Sequence, residues 1–369
     1  MLSKKSVNLA KLLKELYNQD YINNLSLEIQ KEYASFDVNQ FCLHIFDDKW
    51  ETKELKQRMR HISTSIGLFL VENYEKSINI LKKVFLRIDT KFALENMIFQ
   101  DFVEVYGLDK FEVSMDALES FTIGSSSEFA IRQFILKYPK ETMKQMLLWT
   151  KSSNEHVRRL ASEGCRSRLP WAIALDDFKY NPSQVLEILE VLKDDESPYV
   201  RKSVANSLND ISKDNPNILK SIVKEWIGKN TQRDALLKHA SRTLLKSSDK
   251  DILELFGFKG SEHLHVEQFR CMSIVKLGSD LEFSFIISSD KDIGKLRLEY
   301  KLWFLRKNGT YGEKVFKISE SNIKSKNKKF TKKHSFKTIS TRKYYKGVQK
   351  LSIVLNGVSF QTFEFMLEI

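Results

Sequence analysis

The sequence predicts a mainly α protein in which a solenoid of stacked helix pairs is followed by a small all-β sandwich. Three observations carry this expectation. The 369 residues include only 13 Gly and 5 Pro, with 42 % hydrophobic and 29 % charged residues, a balance proper to a folded, helix-rich chain of two or three domains. Apolar residues recur at helical spacing up to about residue 256 and then switch to alternation. Two stretches within the helical part also repeat one another.

At the N-terminus Leu9, Leu12, Leu13 and Leu16 stand at i, i+3, i+4, i+7 with Lys11, Lys14 and Glu15 between them. That is an amphipathic helix, not the apolar segment of a signal peptide. Val185, Ile188, Leu189 and Leu192 keep the same period, and Pro139, Pro170, Pro182 and Pro198 punctuate the run. A helical domain is expected over residues 1–256, with Trp50 and Trp149 in its core. Gly257, Gly260 and the polar Ser261-Glu262-His263 predict a linker at 257–270. Residues 271–369 then read as short strands, as in Leu281-Glu282-Phe283-Ser284-Phe285-Ile286, with a turn at Asn308-Gly309 and final strands near 351–355 and 360–367. No run of about 18 apolar residues offers a membrane span. Cys42, Cys165 and Cys271 are too far apart for a metal knuckle or a disulfide framework, which predicts a reducing, cytoplasmic compartment.

The repeat pairs Asn154-Glu155-His156-Val157-Arg158-Arg159-Leu160-Ala161 with Ser197-Pro198-Tyr199-Val200-Arg201-Lys202-Ser203-Val204-Ala205. An acidic turn, Asp194-Asp195-Glu196, and a proline before Val-Arg give the second copy a HEAT-like character. A looser third copy starts at Leu236. Residues four apart differ by only about 40° around a helix, so positions two, six and ten after Val157, Val200 and Leu236 form stripes. They are Arg159, Glu163 and Ser167; Lys202, Asn206 and Asp210; and Lys238, Arg242 and Lys246. Each stripe suits a concave binding face, and equally a solvated face with pairs such as Arg159 and Glu163.

Sixty Lys plus Arg against 48 Asp plus Glu give a net charge of +12, which attracts polyanions and makes nucleic acid the leading partner class. The excess is uneven. Residues 261–369 hold 21 basic and 11 acidic residues, a net +10, and within 321–350 there are 11 basic residues and no acidic one, with Phe330, Phe336, Tyr344 and Tyr345 interleaved. Lys328, Lys329, Lys332 and Lys333 in that stretch fit contact with a phosphate backbone, or a sheet edge guarded against aggregation.

The string Glu155-His156-Val157-Arg158-Arg159-Leu160-Ala161-Ser162-Glu163-Gly164, running on to Arg168-Leu169-Pro170-Trp171, resembles the AlkC family of bacterial alkylpurine DNA glycosylases, which stand with AlkD in the HEAT-like-repeat superfamily. Leu55-Lys56-Gln57-Arg58-Met59-Arg60-His61, Ser127-Glu128-Phe129-Ala130-Ile131-Arg132 and the Asp210 segment resemble it too. The likeness covers residues 1–256, and Ser167 departs from it where a proline is expected. It implies an immunoglobulin-like C-terminal domain, as in a subset of the family. It also implies monofunctional hydrolysis of the N-glycosidic bond of cationic N3-alkylated bases, 3-methyladenine and also 3-methylcytosine, in double-stranded DNA. Glu128, Glu163 and Asp210 carry over as the carboxylate cluster, with Asp210 assisting the water and Glu163 supplying electrostatic stabilisation, and Trp171 as the aromatic wall. DNA contact is expected from Arg158, Arg159, Arg166, Arg168, Lys202, Lys238, Arg242 and Lys246. No cofactor, metal, membrane or obligate protein partner is implied; a monomer, nucleoid-associated when on DNA, is.

Taken without the family, Trp171 after Pro170 suits a core anchor, and the carboxylates suit surface charges on a non-enzymatic scaffold or on a silent binder of distorted DNA. His263 and His265 alternate on an extended segment but have no evident third ligand. Neither a Gly-rich phosphate loop nor a nucleophile elbow occurs.

Overall fold

Helices run to Leu255 and strands begin at His265. The computed structural model describes residues 13–70, 73–339 and 342–369. The Leu9 and Leu12 part of the N-terminal stripe lies outside the described residues, and Leu13–Leu16 forms a single 3₁₀ turn. Contact density divides the chain into residues 1–215 and 216–369.

The first unit holds α1 (Gln19–Glu32), α2 (Val38–Ile45), α3 (Leu55–Phe69), α4 (Tyr74–Arg87), α5 (Met97–Tyr106), α6 (Phe111–Thr122), α7 (Ile131–Lys137), α8 (Pro139–Trp149), α9 (Glu155–Gly164), α10 (Asp177–Tyr180), α11 (Ser183–Leu192) and α12 (Pro198–Asp214). Pro139 and Pro198 start helices, because a first-turn residue has no intrahelical use for its N–H. The two repeat copies become α9 and α12. Each is capped by the polar residue that the repeat aligns: Asn154 accepts from the His156 N–H and Ser197 from the Tyr199 N–H. Val157 and Val200 are both buried, and Ser162 donates to Ser203 at 2.7 Å between the two helices. At Gly164 a Cβ would lie 2.7 Å from Ile131 Cγ2. Only glycine permits that approach.

The second unit joins α13 (Pro216–Trp226), α14 (Thr231–Ala240), α15 (Arg242–Lys246) and α16 (Lys250–Leu255) to β1 (His265–Cys271), β2 (Ile274–Lys276), β3 (Asp280–Ser288), β4 (Gly294–Leu305), β5 (Tyr311–Ile323), β6 (Asn327–Ser335), β7 (Gly347–Leu355) and β8 (Val358–Glu368). Two differences from expectation stand out. The 257–270 segment is not all linker, since β1 starts at His265 and pairs with β3 through Val266↔Ile287. The third repeat copy is not one helix either: it breaks at Ser241, so Lys238 lies on α14 and Arg242 and Lys246 on α15.

The strands form a three-stranded sheet, β1-β3-β6, and a five-stranded sheet, β2-β8-β7-β4-β5. Leu281, Phe283, Phe285 and Ile287 of β3 face Leu296, Leu298, Leu302, Leu351 and Ile353 in one core, as period-two patterning requires. Gly309, at φ 79°, closes the β4–β5 hairpin, and Asn356-Gly357, at φ 47° and 85°, closes β7–β8. Among the described residues no helix is long and apolar enough to cross a membrane, and no His, Cys, Asp or Glu group could hold a metal.

Candidate functional site

The site grows from the C-terminal end of α9. Val157, Leu160, Ala161 and Gly164 bury one face of that helix, which leaves Arg159 and Glu163 one turn apart on the flank between α9 and the segment before α7. After Gly164 the chain leaves the helix. Arg132 of α7, fully buried, holds the departing loop by donating to the carbonyls of Gly164 (2.9 Å), Arg166 (2.8 Å) and Ile173 (2.8 Å). Burial pulls its pKa down to about 10, so it stays charged at neutral pH. Thus one guanidinium satisfies three carbonyls and fixes the loop that carries Arg166 and Trp171.

Arg166 is the centre of the cluster. Its Nη1 donates to Glu163 Oε1 at 2.5 Å, and its Nε and Nη2 both reach Asp210 Oδ2, at 2.8 and 2.7 Å. Lys213 donates to Asp210 Oδ1 at 2.9 Å. On the other side Arg159 donates to Glu128 Oε2 at 2.8 Å and lies 3.7 Å from Glu163 Oε1, with its guanidinium 4.6 Å from the centre of the Tyr199 ring. Ser126 donates a further bond to Glu128 at 2.7 Å. Three carboxylates are therefore interleaved with Arg159, Arg166 and Lys213. The Glu163 and Asp210 side chains are only 6 % and 2 % exposed, and paired charges at such depth keep their orientation without solvent reorganisation. Such carboxylates can oppose a positive charge that develops beside them and can accept a proton from water.

Three of the four expected site residues are thus linked in the first unit through Arg159 and Arg166: Glu128 before α7, Glu163 at the end of α9 and Asp210 on α12; Trp171 lies on the loop that Arg132 holds. Trp171 is 65 % exposed, which removes the core-anchor alternative, and its φ is +65°. Ser167, where a proline is expected, starts the part of the loop that Leu175 closes by donating to the Ser167 carbonyl at 3.1 Å.

The expected DNA contacts divide. Lys202 and Lys246 are exposed, and Arg168 is partly exposed beside Asp214 at 2.5 Å. Arg158 is a correction. It is buried, bonded to Asp195 at 2.7 Å and to the carbonyls of Ser152 and Ser153, because it points 100° around α9 from Arg159, into the turn before α12. Arg166 is a second correction: it is buried between the carboxylates and has no face left for a phosphate. Lys238 is engaged as well, paired with Glu320 at 2.9 Å over the rings of Phe256 and Phe258. It nevertheless lines, with Arg242, Lys246, Arg297 and Lys317, a cavity of about 390 Å³. Lys328, Lys329 and Lys333 are exposed and Lys332 partly so, on β6, an edge strand where Lys333 pairs with Glu282. Sequence reasoning missed the roles of Arg132, Arg166 and Tyr199. All three lie inside the motifs described above, but nothing in a motif says which carbonyl or carboxylate an arginine will meet.

Comparison with known proteins gives the family. The DNA alkylation repair enzyme family matches residues 116–247, which include all four site residues, and the C-terminal Ig-like domain of the uncharacterised protein YhaZ matches residues 265–369. The uncharacterized protein YhaZ of Bacillus subtilis (strain 168) is 43 % identical over 357 residues, covering 96 % of this chain and 99 % of the relative. The alkylpurine DNA glycosylase AlkC of Pseudomonas fluorescens, solved bound to DNA containing an abasic site analog, superposes with a TM-score of 0.93 at 31 % identity, over 97 % of this chain and 100 % of that one. The chain belongs to the AlkC family. Membership accounts for the immunoglobulin-like fold of the strands after His265. It also places the buried carboxylates of this AlkC-family chain inside the segment that defines DNA alkylation repair enzymes.

Proposed function

We propose that this protein is a monofunctional DNA glycosylase, acting without a cofactor and as a monomer, that hydrolyses the N-glycosidic bond of cationic N3-alkylated bases in duplex DNA, 3-methyladenine first and 3-methylcytosine also. The observation that carries the reading is the sharing of Arg166 by Glu163 and Asp210, two buried carboxylates from sequence-related helices. An alkylated base already bears a positive charge and is a good leaving group, so the protein has mainly to stabilise an oxocarbenium-like sugar and direct a water. Asp210 accepts the proton of the attacking water, and Glu163 opposes the charge on the sugar. Glu128, one arginine further out, adds to the negative field, and the exposed face of Trp171 attracts the cationic base. Arg159, Arg168, Lys202, Arg242 and Lys246 and the lysines of β6 serve the phosphate backbone.

What supports this reading is the cluster's depth and charge order together with family membership. Its test is release of free base from DNA carrying methylated adenines, followed by chromatography, with N7-methylguanine in the same DNA as comparison. Release of 3-methyladenine in preference to 7-methylguanine, with no borohydride-trapped adduct, is expected. Tight DNA binding with no base released would return the carboxylates to a silent binder of distorted DNA.

A further inference from the structure

Trp171 combines two properties that seldom coexist. Its backbone is left-handed, at φ +65°, where Cβ crowds the carbonyl of any residue but glycine, and its side chain is left largely in solvent. A residue in such a conformation persists only where its surroundings over-determine it. Arg132 fixes the carbonyls of Gly164, Arg166 and Ile173 on either side, but not that of Trp171. The Trp171 carbonyl accepts a hydrogen bond from Lys56 of α3, 115 positions earlier in the chain.

The other basic residues of the Leu55–His61 segment have different engagements. Arg58 is buried and donates to the carbonyls of Lys14 and Lys53, Arg60 pairs with Asp101 and Glu104 at 2.9 and 2.5 Å, and His61 lies against the carbonyls of His44 and Ile45. Lys56 is the member that reaches the loop. Its ammonium also sits 4.3 Å from the centre of the Phe129 ring, next to Glu128 in the chain. A charged donor makes a stronger bond to a carbonyl than a neutral one, and an ammonium has protons and charge for both partners. Trp171 also lines, with Leu13, Lys14, Glu54, Leu55 and Lys56, a largely apolar cavity of about 580 Å³.

We propose that Lys56 is the positioning residue of Trp171: by holding its carbonyl while packed on Phe129, it keeps the strained residue's indole presented to the alkylated base instead of folded into the cavity beside it. The inference rests on the glycosylase reading for its consequence and on the loop geometry for its cause, so the two are tested separately.

The experiment compares Lys56→Met, which keeps the stem and loses donor and charge, with Lys56→Arg, which keeps both. Trp171 fluorescence, isolated as the difference from Trp171→Phe protein, reads the ring without any activity. Lys56→Met should shift its emission to the blue and reduce acrylamide quenching, and Lys56→Arg should stay close to wild type. In single-turnover release of 3-methyladenine, Lys56→Met should raise the protein concentration for half-saturation on methylated duplex about tenfold with affinity for undamaged duplex nearly unchanged, and Lys56→Arg should restore most of it. In a Trp171→Ala background Lys56→Met should cost nothing more. Unchanged emission and quenching in Lys56→Met overturn the proposal, as do equal losses in both Lys56 variants accompanied by a lower melting temperature. A wild-type protein that releases no base overturns the glycosylase reading alone, because the fluorescence still decides the positioning.

Discussion

Replacing Asp210 by Asn changes one oxygen for an NH2 group and removes one charge, with almost no change in volume. In the native cluster Oδ2 accepts twice from Arg166 and Oδ1 once from Lys213. An amide has one acceptor, so it can serve Arg166 or Lys213 but not both. Lys213 is 39 % exposed and can turn to water, whereas Arg166 keeps Glu163 at 2.5 Å. The loss therefore falls short of the ~3–5 kcal/mol for breaking an isolated buried pair and comes to about 2 kcal/mol of stability, the worth of one charge-assisted hydrogen bond. The effect on chemistry is larger. Removing a preorganised group from the developing charge typically costs ~10²–10³-fold in rate, or about 2.7–4 kcal/mol. The assay is single-turnover release of 3-methyladenine from methylated duplex at saturating protein, beside a melting curve and an affinity for undamaged duplex. A folded Asp210→Asn protein should bind undamaged DNA nearly as wild type and release base on the order of a hundredfold more slowly, with Glu163→Gln close behind. A folded variant that releases base within threefold of wild type refutes the role given to Asp210.

Other consequences reach beyond the carboxylates. Trp171→Ala should weaken capture of a cationic lesion more than binding of undamaged DNA, measured by competition, and equal losses would deny the indole a role in recognition. Converting Lys328, Lys329, Lys332 and Lys333 together to Gln should flatten the slope of log affinity against log salt by about 0.9 for each lysine that neutralises a phosphate; an unchanged slope would leave them as guards of the β6 edge. In the sandwich, burial, aided by nearby Arg342, pulls the pKa of His334 down to about 4, and its Nδ1 lies 2.8 Å from the Tyr300 hydroxyl. The unfolded chain binds that proton below pH 6.5 and the folded one only near pH 4, so the contribution is complete above 6.5 and is lost as the pH falls toward 4. Thermal unfolding should show a decline of about 3 kcal/mol over that window, which His334→Gln should flatten. Gly164→Ala places a Cβ 2.7 Å from Ile131 Cγ2 and should lower stability by about 1–3 kcal/mol, read in denaturant.

The elements that depend on neighbours in the chain were legible from the residues alone. Leu281, Phe283, Phe285 and Ile287 alternate in sequence and are all buried in the sandwich core; Val185, Ile188, Leu189 and Leu192 keep helical period and are all buried in α11. Asn308-Gly309 closes a hairpin, and Asn154 and Ser197, aligned by the repeat, both cap helices. Period, turn chemistry and capping act over a few residues, so composition and spacing determine them. Asn356-Gly357 carried the same signal and could have been read. Candidate residues for the site, too, could be named from family motifs, as Glu128, Glu163, Trp171 and Asp210.

What those residues do to one another was decided by packing. Arg158 and Arg159 are adjacent and chemically identical, yet Arg158 is sealed against Asp195 while Arg159 joins Glu128 at the site, since one step along a helix turns the side chain by 100°, toward the turn before α12 for Arg158 and toward the segment before α7 for Arg159. Arg166 reads as one more basic residue in an arginine-rich loop, and only the side-by-side packing of α9 and α12 brings Asp210, 44 positions away, onto the same guanidinium as Glu163. Lys56 meets Trp171 across 115 positions for the same reason. A sequence specifies which charges a chain carries and with what period; whether a charge meets a phosphate, a carbonyl or a buried carboxylate depends on which groups long-range packing brings within hydrogen-bonding distance, because such interactions are short-ranged and the chain separation between partners leaves no local pattern.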